Sequence, residues 1–272
     1  MKLKLIAAAV ALLASGSSFA FISGPDDGVA NGIEAVPSEM FMTVWQASGT
    51  GTGTVNRSFT YDMGVSVADM KANKGTDLFI NKVISGSSDW TNFLAAGAST
   101  SFQYNVSGGE RADVAKNYLL QTYAASTVTT KTNLQLSNGL DAIQQYVGAN
   151  NATGTHAAGP DGVSFNTSGD AYFMTNNSVT WIGSTGANSV AVGTAAMFGE
   201  MYQNGANPGT NATNSIYAGK MLLSQSGSTY SLQYQVPAGV VPVTPVPEAS
   251  TYAMLLGGLG AIGFMARRRK PV

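Results

Sequence analysis

Only the middle of this chain is available to form a globular core, because each end carries an apolar stretch beside basic residues. The chain has 272 residues; residues 1–20 begin with two lysines and become apolar, and residues 251–272 run from an apolar stretch into a basic cluster. Apolar segments with basic flanks are typical of targeting and membrane segments, which do not contribute to a folded domain. We therefore expect one globular domain over residues 21–236.

Residues 1–20 have the parts of a secretory signal peptide. The charged start is followed by an apolar run over residues 5–14, and Ser18 and Ala20 place small side chains where signal peptidase requires them. An apolar run of this length is too short to cross a bilayer as a helix. The sequence therefore predicts export by the Sec machinery and cleavage by signal peptidase after Ala20.

The other end of the chain has the composition of a spacer followed by a short membrane helix. Residues 237–246 are rich in proline and valine, which favours an extended linker. Residues 251–266 carry no charge, and a helix over them would rise about 24 Å, less than the ~30 Å hydrocarbon core. Because a basic run follows directly, we expect the last residues to stay cytoplasmic while the preceding domain is exported.

Particular residues in this tail form a recognisable pattern. The Pro-Glu motif and its neighbours are Val246, Pro247, Glu248, Ala249 and Ser250, and the membrane helix and its basic stop are marked by Thr251, Leu255, Gly258, Phe264, Arg267, Arg268, Arg269 and Lys270. Together, in residues 247–272, they resemble the PEP-CTERM sorting segment. One departure is present, since the family motif is Pro-Glu-Pro and the second proline is here Ala249.

The resemblance implies a set of partners and a destination. A membrane-embedded, exosortase-like protease would process the tail near the Pro-Glu motif, so the chain would contact the membrane through its C-terminal helix only before processing. The released domain would pass to the cell surface or to an extracellular polysaccharide matrix. Tails of this type also end proteins named as ice-binding, but that association concerns the tail and not a surface of the domain.

The composition of the domain excludes several classes of chemistry. The chain has no cysteine, which excludes disulfides, haem attachment through thiols and zinc–thiolate sites. Between Phe21 and Pro247 there are fourteen acidic and eight basic side chains, a difference of −6. Because nucleic-acid binding depends on clustered lysine and arginine, no nucleic-acid partner is expected.

The patterning of the domain predicts a mainly β, sandwich-like fold with two or three helices, separate from the short C-terminal transmembrane helix. Strands are expected where apolar residues alternate or β-branched residues recur between Gly, Ser and Asn, and the last two strands should form a hairpin with its turn at 226–228. The expected strands are 40–45, 55–61, 77–84, 101–106, 163–165, 171–174, 178–182, 190–198, 217–225 and 229–236. Helices are expected over 90–96, capped by Ser88 and Asp89, and over 112–125 and 134–147.

No set of residues converges on a catalytic or metal site in the sequence. His156 is the single histidine, which excludes a multi-histidine metal site, and its position in a Gly-rich loop predicts an exposed side chain. No serine lies in a Gly-x-Ser-x-Gly elbow. The acids that could act in pairs on glycosidic bonds are scattered, and nothing in their spacing selects two of them; they are Glu34, Glu39, Asp141, Asp170 and Glu200. No cofactor is predicted.

Three further patterns have both a binding interpretation and a structural one. The Gly-Pro-Asp segments 24–28 and 159–162 suit calcium or simple turns. The alternating threonines in 49–54 suit a flat hydroxyl row or a loop. The three tryptophans could stack on sugar rings or fill a core; they are Trp45, Trp90 and Trp181.

Two function classes therefore compete for the exported domain. The first is a non-enzymatic surface or matrix protein associated with biofilm or exopolysaccharide. The second is a secreted glycan-active hydrolase. A carbohydrate-binding or ice-binding protein remains a further alternative.

Overall fold

The computed structural model describes most of the central domain. The described residues are 22–25, 29–30, 33–34, 38–46, 56–96, 102–111, 117–124, 128, 130–156, 162–173 and 188–237. The strands are β1 (Val29–Ala30), β2 (Ile33–Glu34), β3 (Glu39–Gln46), β4 (Arg57–Ser66), β5 (Asn81–Ile84), β6 (Gln103–Arg111), β7 (Asn117–Tyr123), β8 (Val163–Asn166), β9 (Val190–Ala191), β10 (Ala196–Tyr202), β11 (Thr213–Ser226) and β12 (Thr229–Gln235). The helices are α1 (Val67–Ala72), α2 (Ser88–Ala95) and α3 (Asn133–Asn151).

Apart from the short β1–β2 pair, the described strands form one antiparallel sheet. Its order is β5-β12-β11-β10-β7-β6-β3-β4-β8, with β9 paired to β6. The prediction of a mainly β domain with two or three helices is confirmed, but the expected sandwich of two separate sheets is wrong. Alternation in the sequence shows which side chains share a face, whereas it does not show which strands pair.

The single sheet curls so that strands near its two ends approach each other. Trp90 of α2 lies 4.7 Å from the ring of Phe59 in β4 and 4.7 Å from the ring of Tyr230 in β12. Strands β4 and β12 are near opposite ends of the strand order. Because one indole touches both, α2 fills the gap between them and completes the inner core.

Arg57, at the start of β4, holds the C-terminal end of α2. Its guanidinium donates hydrogen bonds to the carbonyl oxygen of Phe93 (2.6 Å) and to Gln46 Oε1 (2.8 Å), and it lies 5.2 Å from the Phe93 ring centroid. The arginine is fully buried, and burial lowers its pKa from the ordinary value. A cation at a helix C-terminus is favourable because the last carbonyls carry partial negative charge.

The sheet carries an apolar core on each face. The inner core is the larger and includes Met40, Val106 and Leu223, whereas the outer core packs α3 against the sheet through Leu140 and Leu119. Helix α3 begins at a capping box that was missed in the sequence. In this box Gln135 N donates to Thr132 Oγ1 (3.2 Å) and Thr132 N donates to Gln135 Oε1 (3.0 Å).

Several elements differ from the prediction. The helix expected over 112–125 is strand β7 in its described part, because Leu119 packs in the outer core and Leu120 in the inner core. In a strand that is buried on both faces, apolar and polar residues no longer alternate. The spacing of its apolar residues can then resemble that of a helix. Residues 171–173 are not a strand, the strand expected over 77–84 begins at Asn81, and α1 was not predicted.

Other predictions are confirmed. The expected strands 40–45 and 55–61 correspond to β3 and β4, and 101–106 and 163–165 correspond to β6 and β8. The final hairpin is formed by β11 and β12, with Ser226 paired to Thr229. Its turn residue Gly227 has a φ of 62°, which glycine adopts without strain.

The predicted targeting segments lie outside the described residues. These are the signal peptide over 1–20, nearly all of the linker over 237–246, and the sorting segment over 247–272 with its membrane helix. Among the residues that the structure does describe, no helix is long and apolar enough to cross a membrane.

Replacing Trp90 by alanine should destabilise the domain strongly. The change removes a side chain that is 1% exposed and the contact it makes with both β4 and β12, so we expect a loss of about 3–5 kcal/mol in the free energy of unfolding. Urea denaturation followed by tryptophan and tyrosine fluorescence measures this. Asn92→Ala, at an exposed position of the same helix, should change stability by less than about 0.5 kcal/mol. A loss below about 1 kcal/mol for Trp90→Ala would contradict the bridging role.

Candidate functional site

The described part of the domain has one group of half-buried aromatic and charged side chains on the inner face of the sheet. Glu110, Tyr118 and Tyr202 are directly opposite one another on neighbouring strands β6, β7 and β10. Glu200, two residues before Tyr202, shares this face because it pairs with Leu120 of the inner core. The Tyr118 and Tyr202 ring centroids are 6.3 Å apart.

A third tyrosine completes this group. The side chain of Tyr217 in β11 is 5% exposed, and its ring lies 5.8 Å from that of Phe198. Its hydroxyl has no hydrogen-bond partner among the described residues. Burial raises the pKa of Tyr217, and the nearby carboxylate of Glu200 raises it further. We call Tyr118, Tyr202 and Tyr217, with Glu110 and Glu200, the tyrosine cluster.

Helix α1 and the turn after it bring two lysines to the tyrosine cluster. Lys71 Nζ lies 3.4 Å from the Tyr118 ring centroid, and Lys74 Nζ lies 5.1 Å from the Tyr217 ring centroid. Ser66 caps the start of the helix, because its hydroxyl accepts a hydrogen bond from Asp69 N (2.9 Å). The arrangement combines ring faces, ammonium groups and carboxylates, which are the groups that bind polyhydroxylated ligands through stacking and hydrogen bonds.

Sequence reasoning missed most of the tyrosine cluster. Among its acids only Glu200 was a candidate, and Tyr118 had been assigned to a helix. One signal was available in residues 198–202. Phe198, Glu200 and Tyr202 stand at alternate positions, so in a strand all three side chains lie on the same face of the sheet. That Tyr202 lies opposite Tyr118, whose ring Lys71 contacts, depends on the long-range pairing of the strands.

A second polar group crosses the outer face of the sheet beneath α3. Ser164, Thr60, Thr43 and Asn105 are directly paired across β8, β4, β3 and β6, and each is 0% exposed. The hydroxyl of Tyr146 in α3 forms hydrogen bonds with both threonines of this buried polar row. Because the side chains of this row are not accessible to solvent, their hydrogen bonds hold α3 against the sheet.

His156 belongs to the same buried network, which corrects the prediction that it is exposed. The side chain is 0% exposed, and its Nε2 lies 3.2 Å from Ser164 Oγ. The Ser164 hydroxyl donates to Asn150 Oδ1 at 2.6 Å. The loop composition around His156 suggested solvent, but the loop packs back against β8 through hydrogen bonds between Thr155 and Val163.

The remaining candidate acids are not brought together. Asp141 of α3 forms an ion pair with Arg111 at 2.5 Å, and Asp170 accepts a hydrogen bond from Gln145 at 3.2 Å. Glu39 accepts one from the main chain of Ser23. Nothing is described of the side chain of Glu34. Among the described residues there is no group of three or more potential metal-binding side chains.

The remaining sequence patterns are the tryptophans, the threonine row, the Gly-Pro-Asp segments and the targeting residues. Trp45 and Trp90 are core residues at 5% and 1% exposure, as the structural interpretation predicted. The threonines of 49–54, Trp181 and most of the two Gly-Pro-Asp segments lie outside the described residues. The sorting residues 246–250, the membrane-helix residues and the cleavage residues Ser18 and Ala20 also lie outside them.

Alkaline pH should unfold the domain as its buried tyrosines ionise. Burial raises the pKa of Tyr104 and of Tyr146 to about 12, above the value of about 10 in an unfolded chain. The folded state therefore holds more protons between these values, so stability is complete below pH ~10 and falls as the pH rises towards 12. We expect each such tyrosine to contribute a slope of about 1.4 kcal/mol per pH unit.

Denaturant unfolding at a series of pH values measures this slope. Tyr146→Phe should lower the slope by the contribution of one tyrosine, whereas Asn92→Ala, which changes an exposed side chain and no tyrosine, should leave the slope unchanged. An unchanged slope in Tyr146→Phe would contradict the assignment.

Comparison with known proteins identifies the tail and not the domain. Residues 245–270 match the family model of the PEP-CTERM protein-sorting motif. Comparison with curated proteins and with solved structures gives no match. The resemblance seen in the sequence is thus confirmed for the sorting motif, while its association with ice-binding tails is not shown. The motif marks the chain as an exported protein whose membrane-anchored precursor is sorted to the cell surface and processed by exosortase, a membrane protease.

Proposed function

We propose that this chain is a non-enzymatic protein of the cell surface or biofilm matrix that associates with extracellular polysaccharide. The single observation that carries the proposal is the sorting motif at residues 245–270. The tail supplies the destination, and the partner is inferred from the surface of the domain.

The tyrosine cluster supports a saccharide as that partner. Tyr118 and Tyr202 are half-buried, so their rings are fixed by packing while part of each remains accessible. Rigid aromatic rings provide apolar contact area at low entropic cost, and a hydroxyl or carboxylate beside them can bond to sugar hydroxyls. The half-buried carboxylate of Glu200, on the same face of the sheet, can accept such a bond.

The geometry around His156 supports a non-enzymatic role. A serine nucleophile needs its hydroxyl hydrogen directed to a histidine base and its oxygen accessible to substrate. Here the Ser164 hydroxyl donates to Asn150, and both Ser164 and His156 are 0% exposed. This pair therefore has the arrangement of a structural hydrogen bond.

A glycan-active hydrolase is the second candidate, and one observation favours it. Glu110 and Glu200 lie on the same inner face, separated by strand β7. Two carboxylates on either side of a bound sugar are the minimum requirement for glycosidic hydrolysis. Release of reducing sugar by the wild type, abolished in both Glu110→Gln and Glu200→Gln, would establish this candidate in place of the first.

Changes in the sorting motif should alter processing of the tail. In the source organism, Glu248→Ala should leave a larger, membrane-bound precursor, whereas Ala249→Pro restores the family motif and should be processed at least as fast as the wild type. Cell fractionation and immunoblotting measure the two forms. Ser250→Ala serves as a control for a neighbouring change. Equal processing of Glu248→Ala and wild type would remove the sorting motif from the explanation.

Loss of a ring from the tyrosine cluster should weaken association with polysaccharide. For the released protein and the producer's own purified polysaccharide, Tyr202→Ala should raise the Kd about tenfold, as expected for one stacking contact. Leu134→Ala removes an exposed apolar side chain at the start of α3, outside the cluster, and should leave the Kd unchanged. The proposal fails if the wild type does not bind, or if both variants bind as the wild type does.

A further inference from the structure

Two rings of the tyrosine cluster are neighbours across adjacent strands. Tyr118 of β7 is paired directly with Tyr202 of β10, and their ring centroids are 6.3 Å apart with 36° between the ring planes. Ring carbons that face each other at this centroid distance come near van der Waals contact, which is about 3.5–4 Å. Because side chains at a surface change their torsions rapidly, two ring carbons of this pair can be brought together.

These two rings are also the tyrosine rings that solvent reaches. Of the ten tyrosines that the structure describes, Tyr118 and Tyr202 are half-buried and the other eight are buried. The two described tryptophans, which also give up an electron readily, are 5% and 1% exposed. A dissolved oxidant therefore meets this pair before any other tyrosine or tryptophan in the described part of the chain.

The lysine beside the pair covers a ring face and not a ring edge. Lys71 Nζ lies 3.4 Å from the centroid of the Tyr118 ring, because an ammonium group is attracted to the negative face of an aromatic ring. Two phenols couple through the carbons next to their hydroxyls, and these carbons lie on the ring edge. The contact with Lys71 therefore helps to fix the ring of Tyr118 without covering the carbons that would react.

We propose that Tyr118 and Tyr202 form an oxidative cross-linking site, at which a one-electron oxidant joins the two rings by a carbon–carbon bond. Each tyrosine loses one electron to the oxidant and its phenolic proton to water. The two radicals couple at the carbons beside the hydroxyls, and the hydrogen on each of these carbons then moves to the oxygen and restores the phenol. The pair loses two electrons and two protons in total, and the product is dityrosine.

This bond would provide a covalent link that the chain cannot make with sulfur, since it has no cysteine. Tyr118 and Tyr202 are 84 positions apart in the sequence. A cross-link that closes a long loop stabilises a fold by restricting the unfolded chain. The inference is independent of the proposed polysaccharide binding, because it requires only the geometry of the two rings and an oxidant outside the cell.

The test uses the released protein at low concentration, with photogenerated ruthenium(III) tris(bipyridine) as the one-electron oxidant and persulfate as the final electron acceptor. Size-exclusion chromatography isolates the monomer, dityrosine fluorescence gives the yield, and mass spectrometry of proteolytic peptides identifies the two joined residues. Because proximity favours coupling within one molecule, the joined residues in the monomer should be Tyr118 and Tyr202. Tyr118→Phe and Tyr202→Phe should each lower the yield of monomeric dityrosine at least about tenfold.

Tyr172→Phe is the matched control, because it removes a tyrosine that is 7% exposed and lies outside the cluster. It should leave the yield unchanged. Near-UV circular dichroism verifies that each variant is folded before oxidation, and if one of the two cluster variants is not folded, the other decides. The proposal is overturned if the wild-type monomer forms no dityrosine, if the joined residues are other tyrosines, or if a folded cluster variant keeps the wild-type yield.

Discussion

The packing of Trp90 between β4 and β12 is the contact on which the rest of the structure depends. An antiparallel sheet of this length has two edges and a large apolar inner face, and it must cover that face to be stable in water. The sheet curls around α2, whose aromatic side chains fill the space between distant strands, and α1 adds Val67 and Met70 to the same core. Arg57 fixes that helix from the β4 side by bonding to its last carbonyls.

The outer face is stabilised by a different principle. Its centre is the buried polar row, and burying such groups is costly unless each finds a hydrogen bond. Helix α3 supplies such bonds to Thr43 and Thr60 through the hydroxyl of Tyr146 and to Ser164 through the amide of Asn150, while Asn105 donates to Ser107 Oγ. A polar interior is more selective than an apolar one, because a shift in the register of the helix would break these hydrogen bonds. For an exported chain without cysteine, such packing takes the place of disulfides.

Tail and domain contribute separate parts of the functional conclusion. The tail carries a short, linear signal that is read by membrane machinery, so it can be recognised without any knowledge of the domain. The domain contributes the tyrosine cluster, in which residues from four strands and two lysines from the α1 region meet on one face. No motif spans these residues, and the proposed ligand therefore depends on the fold.

The amino-acid sequence by itself determined the targeting of the protein, its β-rich class, its final hairpin and the absence of thiol chemistry. Those properties are local, because they depend on composition, on charge beside an apolar run and on alternation within a few residues. Only the tertiary structure decided that the strands form one curled sheet, that β7 is a strand and that His156 is buried. The same holds for Tyr118 and Tyr217 facing Lys71 and Lys74. These features depend on pairing between residues far apart in the chain, and local periodicity carries no information about which strands will become neighbours.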